Sequence, residues 1–111
     1  MKIKAKVWLE KDGKLVFGLG KQRILEAVAE TNSINKAAKK LNMSYRHTWS
    51  YIHSAEKRLG NLLLLKVRGG KEGGGAVLTD YAKELLKKFE KVEKKVMVFT
   101  DKCYKETFKE K

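Results

Sequence analysis

Residues 33–52 read SINKAAKKLNMSYRHTWSYI, and this stretch decides the fold. Ile34, Ala37, Ala38 and Leu41 recur at i, i+3, i+4 and i+7, the spacing of one face of an α-helix. Ser33 stands just before that face begins, where a hydroxyl can cap the first turn. Leu41-Asn42-Met43 breaks the period, and Ser44 then offers a second cap before a second helical run. Two helices joined by so short a turn cannot lie antiparallel. They predict a helix-turn-helix, whose second helix can enter the major groove of DNA.

The second helix is expected over about residues 45–58, with a recognition segment of 44–58. At about 100° per residue, Tyr45, Thr48, Trp49, Ile52, Ala55 and Leu59 share one side. Tyr45 and Trp49 are accordingly expected in the core. Arg46, His47, Ser50, His53, Ser54 and Lys57 share the other side, small, polar or basic, with no acid. Arg46 can fork onto guanine or phosphate, and His47 and Ser50 can bond base edges. With Ser33, Lys36 and Ser44 at the helix starts, these residues form the expected DNA-binding set. The two histidines are six apart and lack the i,i+4 zinc spacing. Glu56 falls towards the inner side, so neither histidine has an acidic partner in sequence. Cys103 is distant, and no nucleophilic constellation is visible. No enzyme, metal or cofactor is expected.

Downstream, residues 62–67 form an apolar run suited to a strand. Arg68-Gly69-Gly70-Lys71-Glu72-Gly73-Gly74-Gly75 follows, and residues 76–78 return as a second strand. Two strands around a basic glycine-rich tip make a wing over residues 68–76. Its glycines allow close approach to the sugar-phosphate chain, while Arg68 and Lys71 supply charge. A nucleotide-binding loop is the competing reading, but the Gly-Lys-Ser/Thr ending that leads into a helix is missing. Upstream, residues 2–9 alternate Lys2, Lys4 and Lys6 against Ile3, Ala5 and Val7, a half-buried strand. Asp12-Gly13 is a tight-turn pair, and residues 15–17 return, giving a hairpin over 2–17. A first helix is expected over about 21–30, with Ile24, Leu25 and Val28 inward and Thr31-Asn32 as its stop.

Thr79 can cap a last helix running from Asp80 towards residue 109. Ala82, Leu85, Phe89, Val92, Val96, Phe99 and Cys103 alternate in steps of three and four, a heptad seam. Such a stripe exceeds what a small domain can cover. Leu85, Phe89, Val92, Val96, Phe99 and Cys103 are therefore expected at a homodimer interface. The fold class is mainly α with small β (α+β). The expectation is a winged helix-turn-helix in residues 1–79, with its N-terminal β-hairpin, followed by a dimerising C-terminal helix in residues 80–111.

Composition bears on partners. The 111 residues carry 26 Lys and Arg against 13 Asp and Glu, a net charge of +13. Residues 31–71 hold nine basic residues against Glu56 alone. A Lys-rich solvated surface explains the balanced ends, but this middle favours a polyanionic partner. The single cysteine suits a reducing compartment. With no apolar run of about 18 residues and no signal-peptide core, no membrane association and a cytoplasmic location are expected.

Several of these pieces together resemble the N-terminal domain of ModE-type molybdate-responsive transcription regulators, relatives of LysR-type winged helices. The resemblance runs over about residues 15–90. It rests on Gly20 and Arg23, Ser33-Ile34 with Ala37-Ala38, Met43-Ser44-Tyr45-Arg46 with Trp49, and Gly69-Gly70 through Gly73-Gly74-Gly75-Ala76 to Leu78-Thr79. It implies a dimer on a palindromic operator of double-stranded DNA, with the recognition helix in the major groove and the wing beside it. It also implies control of molybdate transport or molybdenum-enzyme genes. The sequence departs at Asn32 (usually glycine), Thr48 (commonly alanine), Leu62 (usually proline) and Glu72, which interrupts the glycines. Members that sense molybdate carry C-terminal oxyanion-binding domains, whereas this sequence ends after one helix. Molybdate binding by this chain is not expected. A non-specific architectural nucleic-acid-binding protein is the alternative function, and an adaptor acting through the last helix is a third.

Overall fold

The computed structural model describes residues 1–68 and 75–109. In chain order the elements are β1 (Leu9–Lys11), β2 (Lys14–Phe17), α1 (Leu19–Thr31), α2 (Ile34–Lys40), α3 (Tyr45–Leu59), β3 (Leu64–Val67), β4 (Gly75–Leu78) and α4 (Asp80–Thr107). The strands pair as two antiparallel hairpins, β1 with β2 and β3 with β4. This is the winged helix-turn-helix expected from the sequence.

Local chemistry sets the boundaries. Ser33 Oγ accepts from the Lys36 N–H at 3.1 Å, Ser44 Oγ from the His47 N–H at 3.0 Å and Thr79 Oγ1 from the Ala82 N–H at 3.0 Å. Each hydroxyl satisfies a donor that the helix itself cannot reach. Asn32 (φ 54°) and Gly60 (φ 71°) close α1 and α3 in the left-handed region. Asn42, at φ 56°, makes the turn between α2 and α3, and the Met43 N–H returns to the Ala38 carbonyl at 2.9 Å.

The core gathers Phe17, Ile24, Leu25, Val28, Ala37, Ile52, Ala55, Leu63 and Phe89. Phe17 and Phe89 meet edge to face, 5.0 Å between centroids, a favoured aromatic geometry. Phe89 is 2% exposed, so it belongs to the domain's own core. The expected interface role is corrected here. Leu85 likewise packs half-buried against the core. The first turns of α4 face α1 and β4, and only the later part of the seam leaves the body of the molecule.

The N-terminal strand is also shorter than expected. Residues 2–8 form no strand, because β2 offers only Lys14–Phe17 as a pairing edge and β1 fills it in the register Leu9↔Phe17, Glu10↔Leu15 and Lys11↔Lys14. Asp12 (φ 53°) and Gly13 (φ 76°) make the expected tight turn. At the other end, α4 has 28 residues, about 42 Å at the helical rise. It stretches the molecule to 62 × 30 × 22 Å. The Gln22 side chain donates to Glu93 at 2.8 Å, tying α1 to α4. Beside it, burial and then the carboxylates of Glu90, Glu93 and Glu30 raise the pKa of Glu26. A raised acid binds its proton more tightly when folded. Its stabilising contribution is complete below the ordinary carboxylate range and declines as pH rises through the raised value.

The wing is bolted to α1 at its base. The Ala76 N–H donates to the Asn32 carbonyl at 3.0 Å. A Cβ at Gly75 would sit 2.6 Å from that same oxygen. Gly75→Ala is therefore expected to push β4 off α1 and to destabilise the domain by about 1–3 kcal/mol, the range for forced backbone shifts. Thermal denaturation checks this, and an unchanged midpoint would contradict it.

Candidate nucleic-acid interface

The outer face of α3 carries Arg46, His47, Ser50, His53, Ser54 and Lys57, all exposed and all on one surface. No carboxylate interrupts it. Ser33 and Ser44 cap α2 and α3, which leaves their hydroxyl protons free to donate outward while the oxygens accept. A notch of about 330 Å³ lies where the start of α2, the start of α3 and the wing base meet. Ser33, Asn35, Tyr45, Lys66, Arg68 and Gly75 line it. It places Arg68 beside the helix starts. Lys71 and the wing tip fall outside the described residues.

Two core expectations fail on α3. Tyr45 is 48% exposed and Trp49 37%. The buried face is Thr48, Ile52, Ala55 and Glu56. Tyr45 has the right phase, but it stands on the first turn, beyond the core, and opens into the notch. Trp49 sits at the edge of the inner arc, and Glu56 takes the inward place on that flank. The indole instead lies over the His53 ring, with centroids 3.7 Å apart. With Ser50, His53, Lys57 and Leu62 it lines a groove of about 600 Å³ between α3 and the turn that leads into β3. Periodicity alone could have flagged Trp49 as marginal; nothing in the sequence marks where the core ends along α3.

Glu56 corrects a further expectation. Its Oε1 stands 2.8 Å from His53 Nδ1, so that histidine does have an acidic partner. Its Oε2 accepts from the Leu63 N–H at 2.8 Å and the Leu64 N–H at 3.3 Å. One carboxylate thereby joins α3 to the first wing strand. The i,i+3 spacing of His53 and Glu56 is a sequence signal for the first contact; the second depends on tertiary folding. On the opposite flank of α3, His47 meets the Tyr51 ring edge to face at 4.6 Å.

A family profile described as "Bacterial regulatory helix-turn-helix protein, lysR family" matches residues 19–83. The chain belongs to this LysR family. The match opens with α1 and closes on the first turn of α4. Among curated relatives of this LysR-family chain, the "Molybdenum transport protein ModE" of Azotobacter vinelandii is 37% identical over 71 residues, 64% of this chain and 26% of that protein. The "Transcriptional regulator ModE" of Haemophilus influenzae is 38% identical over 72 residues, 65% of this chain and 28% of that protein. The ModE of Herbaspirillum seropedicae is 37% identical over 93 residues, 82% of this chain and 35% of that protein. The ModE-type resemblance of the sequence is thus shown, although the chain spans only 26–35% of the length of these relatives. Among solved structures, the CbnR_DBD–DNA complex superposes with a TM-score of 0.57 at 24% identity, covering 76% of this chain and 91% of that one. The oxidized form of Corynebacterium glutamicum OxyR gives 0.54 at 21% identity, covering 72% of this chain and 24% of that one. These likenesses establish the shared fold.

Proposed function

We propose that this LysR-family chain is a sequence-specific, dimeric transcription regulator that lays α3 in the major groove and its wing, residues 68–76, on the adjacent backbone. The observation that carries this is the acid-free outer face of α3 beside the basic notch at the wing base. Arg46 and Ser50 read base edges, while Ser33, Lys36, Arg68 and Lys71 hold phosphates and set the register. The names of the relatives favour operators near genes for molybdate transport or molybdenum enzymes.

Selection of bound duplexes from random DNA tests the reading and is expected to return a palindromic motif. Arg46→Ala should then cost roughly 1–3 kcal/mol at its base pair and flatten the preference there. Lys71→Ala should weaken all sequences alike and lower the salt dependence. Recovery of no motif would support architectural binding instead. Unchanged operator affinity in both variants would reject the site assignment.

A further inference from the structure

The flank of α3 away from the wing holds a second basic site that the DNA-reading face does not use. A pocket of about 510 Å³ lies between the N-terminal segment, the start of α1 and α3, lined by Lys6, Trp8, Gly20, Lys21, Arg23 and Tyr51 among others. No carboxylate lines it, and Glu10 nearby is engaged by the Trp8 indole N–H at 2.8 Å.

Two independent features of the pocket call for an anion. The first is the start of α1. Its cap position is Gly18, which has no side chain to bond the first-turn N–H groups, and that turn contains no acidic residue. The positive end of the helix dipole and its unsatisfied donors therefore open on the pocket. The second is Lys21, which lines the pocket yet is only 8% exposed. Among the described residues its ammonium has no hydrogen bond and no carboxylate partner. It stands over the Tyr51 ring, 4.9 Å from the centroid. Burial, and then the guanidinium of Arg58, hold its pKa below the ordinary lysine value. Arg58 is fixed in place because its Nη1 donates to the Leu15 carbonyl at 2.7 Å. An ammonium that reaches the pocket over a buried stem, beside a second cation, is stabilised by an anion that joins it.

We infer that this pocket binds a phosphate-class oxyanion on Lys21, Lys6, Arg23 and the uncapped first turn of α1. Two sources carry that chemistry: a backbone phosphate flanking the duplex read by α3, or a free phosphate. The first source rests on the DNA-binding reading above; the second does not.

Two variants of the full chain test the site without threatening the fold. Lys21→Met keeps the apolar stem and removes the charge. Gly20→Asp puts a carboxylate into the empty site, at a position where a Cβ meets nothing within 4 Å and where a helix start favours acids. Neither should lower the melting temperature. Calorimetric titration with inorganic phosphate at low ionic strength reads the free source. Saturable binding, weakened about tenfold or more by each variant, is then expected. Anisotropy of a random-sequence duplex across a salt series reads the DNA source. There each variant should lower affinity about tenfold, and Lys21→Met should reduce the salt slope by about one. Lys87→Met, an equal charge change on exposed α4, should leave the duplex results unchanged. Phosphate binding that persists without duplex binding would sink the DNA-binding reading and keep the site. The site itself is overturned if neither titration separates the variants from the wild type; if Lys87→Met weakens the duplex as much as they do, the DNA source is overturned.

Discussion

Glu56→Ala is expected to destabilise the domain by about 2–4 kcal/mol, the cost of leaving two backbone donors without partners in or near the core. The donors are the N–H groups of Leu63, buried, and Leu64, half-buried. His53 adds little to that figure, because it is half-exposed and water can replace its partner. Against a typical stability of about 5–15 kcal/mol the loss is large. Glu56→Gln keeps a carbonyl oxygen for the Leu63 N–H and should lose about 1 kcal/mol, one ordinary hydrogen bond. Urea denaturation separates the two variants. A functional effect should exceed the stability effect, since Glu56 fixes the angle between the reading helix and the wing. At temperatures where Glu56→Ala remains folded, its operator affinity should still fall, whereas its affinity for random duplexes falls less. Equal stability of the Ala and Gln variants would show that the carboxylate does not brace the wing.

How much of this was legible in the sequence depends on which interactions are local. The caps at Ser33, Ser44 and Thr79, the stops at Asn32 and Gly60, and the Asp12-Gly13 turn rest on contacts within a few residues, so residue type and spacing suffice to find them. The inward set on α1 was equally plain, because Ile24, Leu25 and Val28 are covered along the whole helix. Tyr45 and Trp49 were misplaced for the opposite reason. For Tyr45, helical phase gives an angle, while burial also needs a neighbour at that height, which the very start of α3 lacks; Trp49 lies at the edge of the inner arc, where Glu56 takes the inward place. The strand expected over residues 2–9 failed for want of a partner edge, which alternation cannot reveal. Glu56 and Lys21 were illegible as working residues. One acts through Leu63 and Leu64 across a turn. The other matters only because α1, α3 and the N-terminal segment close around it.

Phe99→Glu is expected to convert a dimer into monomers while leaving the domain folded. The seam on α4 divides at Phe89, which is buried, from Val92 (44% exposed) and Phe99 (65% exposed) further along. Val96 and Cys103 lie half-exposed on the same stripe. Within one chain the later stripe has no core beneath it, and Lys94, Lys95 and Lys102 crowd around Phe99 and Val98 in a shallow cleft of about 320 Å³. A phenylalanine contributes roughly 1.5–3 kcal/mol when fully buried. A two-fold seam repeats each contact, so losing both rings removes roughly 3–6 kcal/mol, a hundred- to ten-thousand-fold change in dimer affinity. Glutamate adds the cost of burying two like charges. Operator affinity should fall with it by about 10²–10⁴, because two half-sites are then bound independently. Sedimentation measures the oligomeric state, anisotropy the affinity, and circular dichroism the retained helix. A wild-type chain that sediments as a monomer would remove the dimer from the proposed function. A Phe99→Glu chain that stays dimeric would move the interface off the outer half of α4, to the N-terminal hairpin, where Trp8 and Leu15 are the exposed apolar residues.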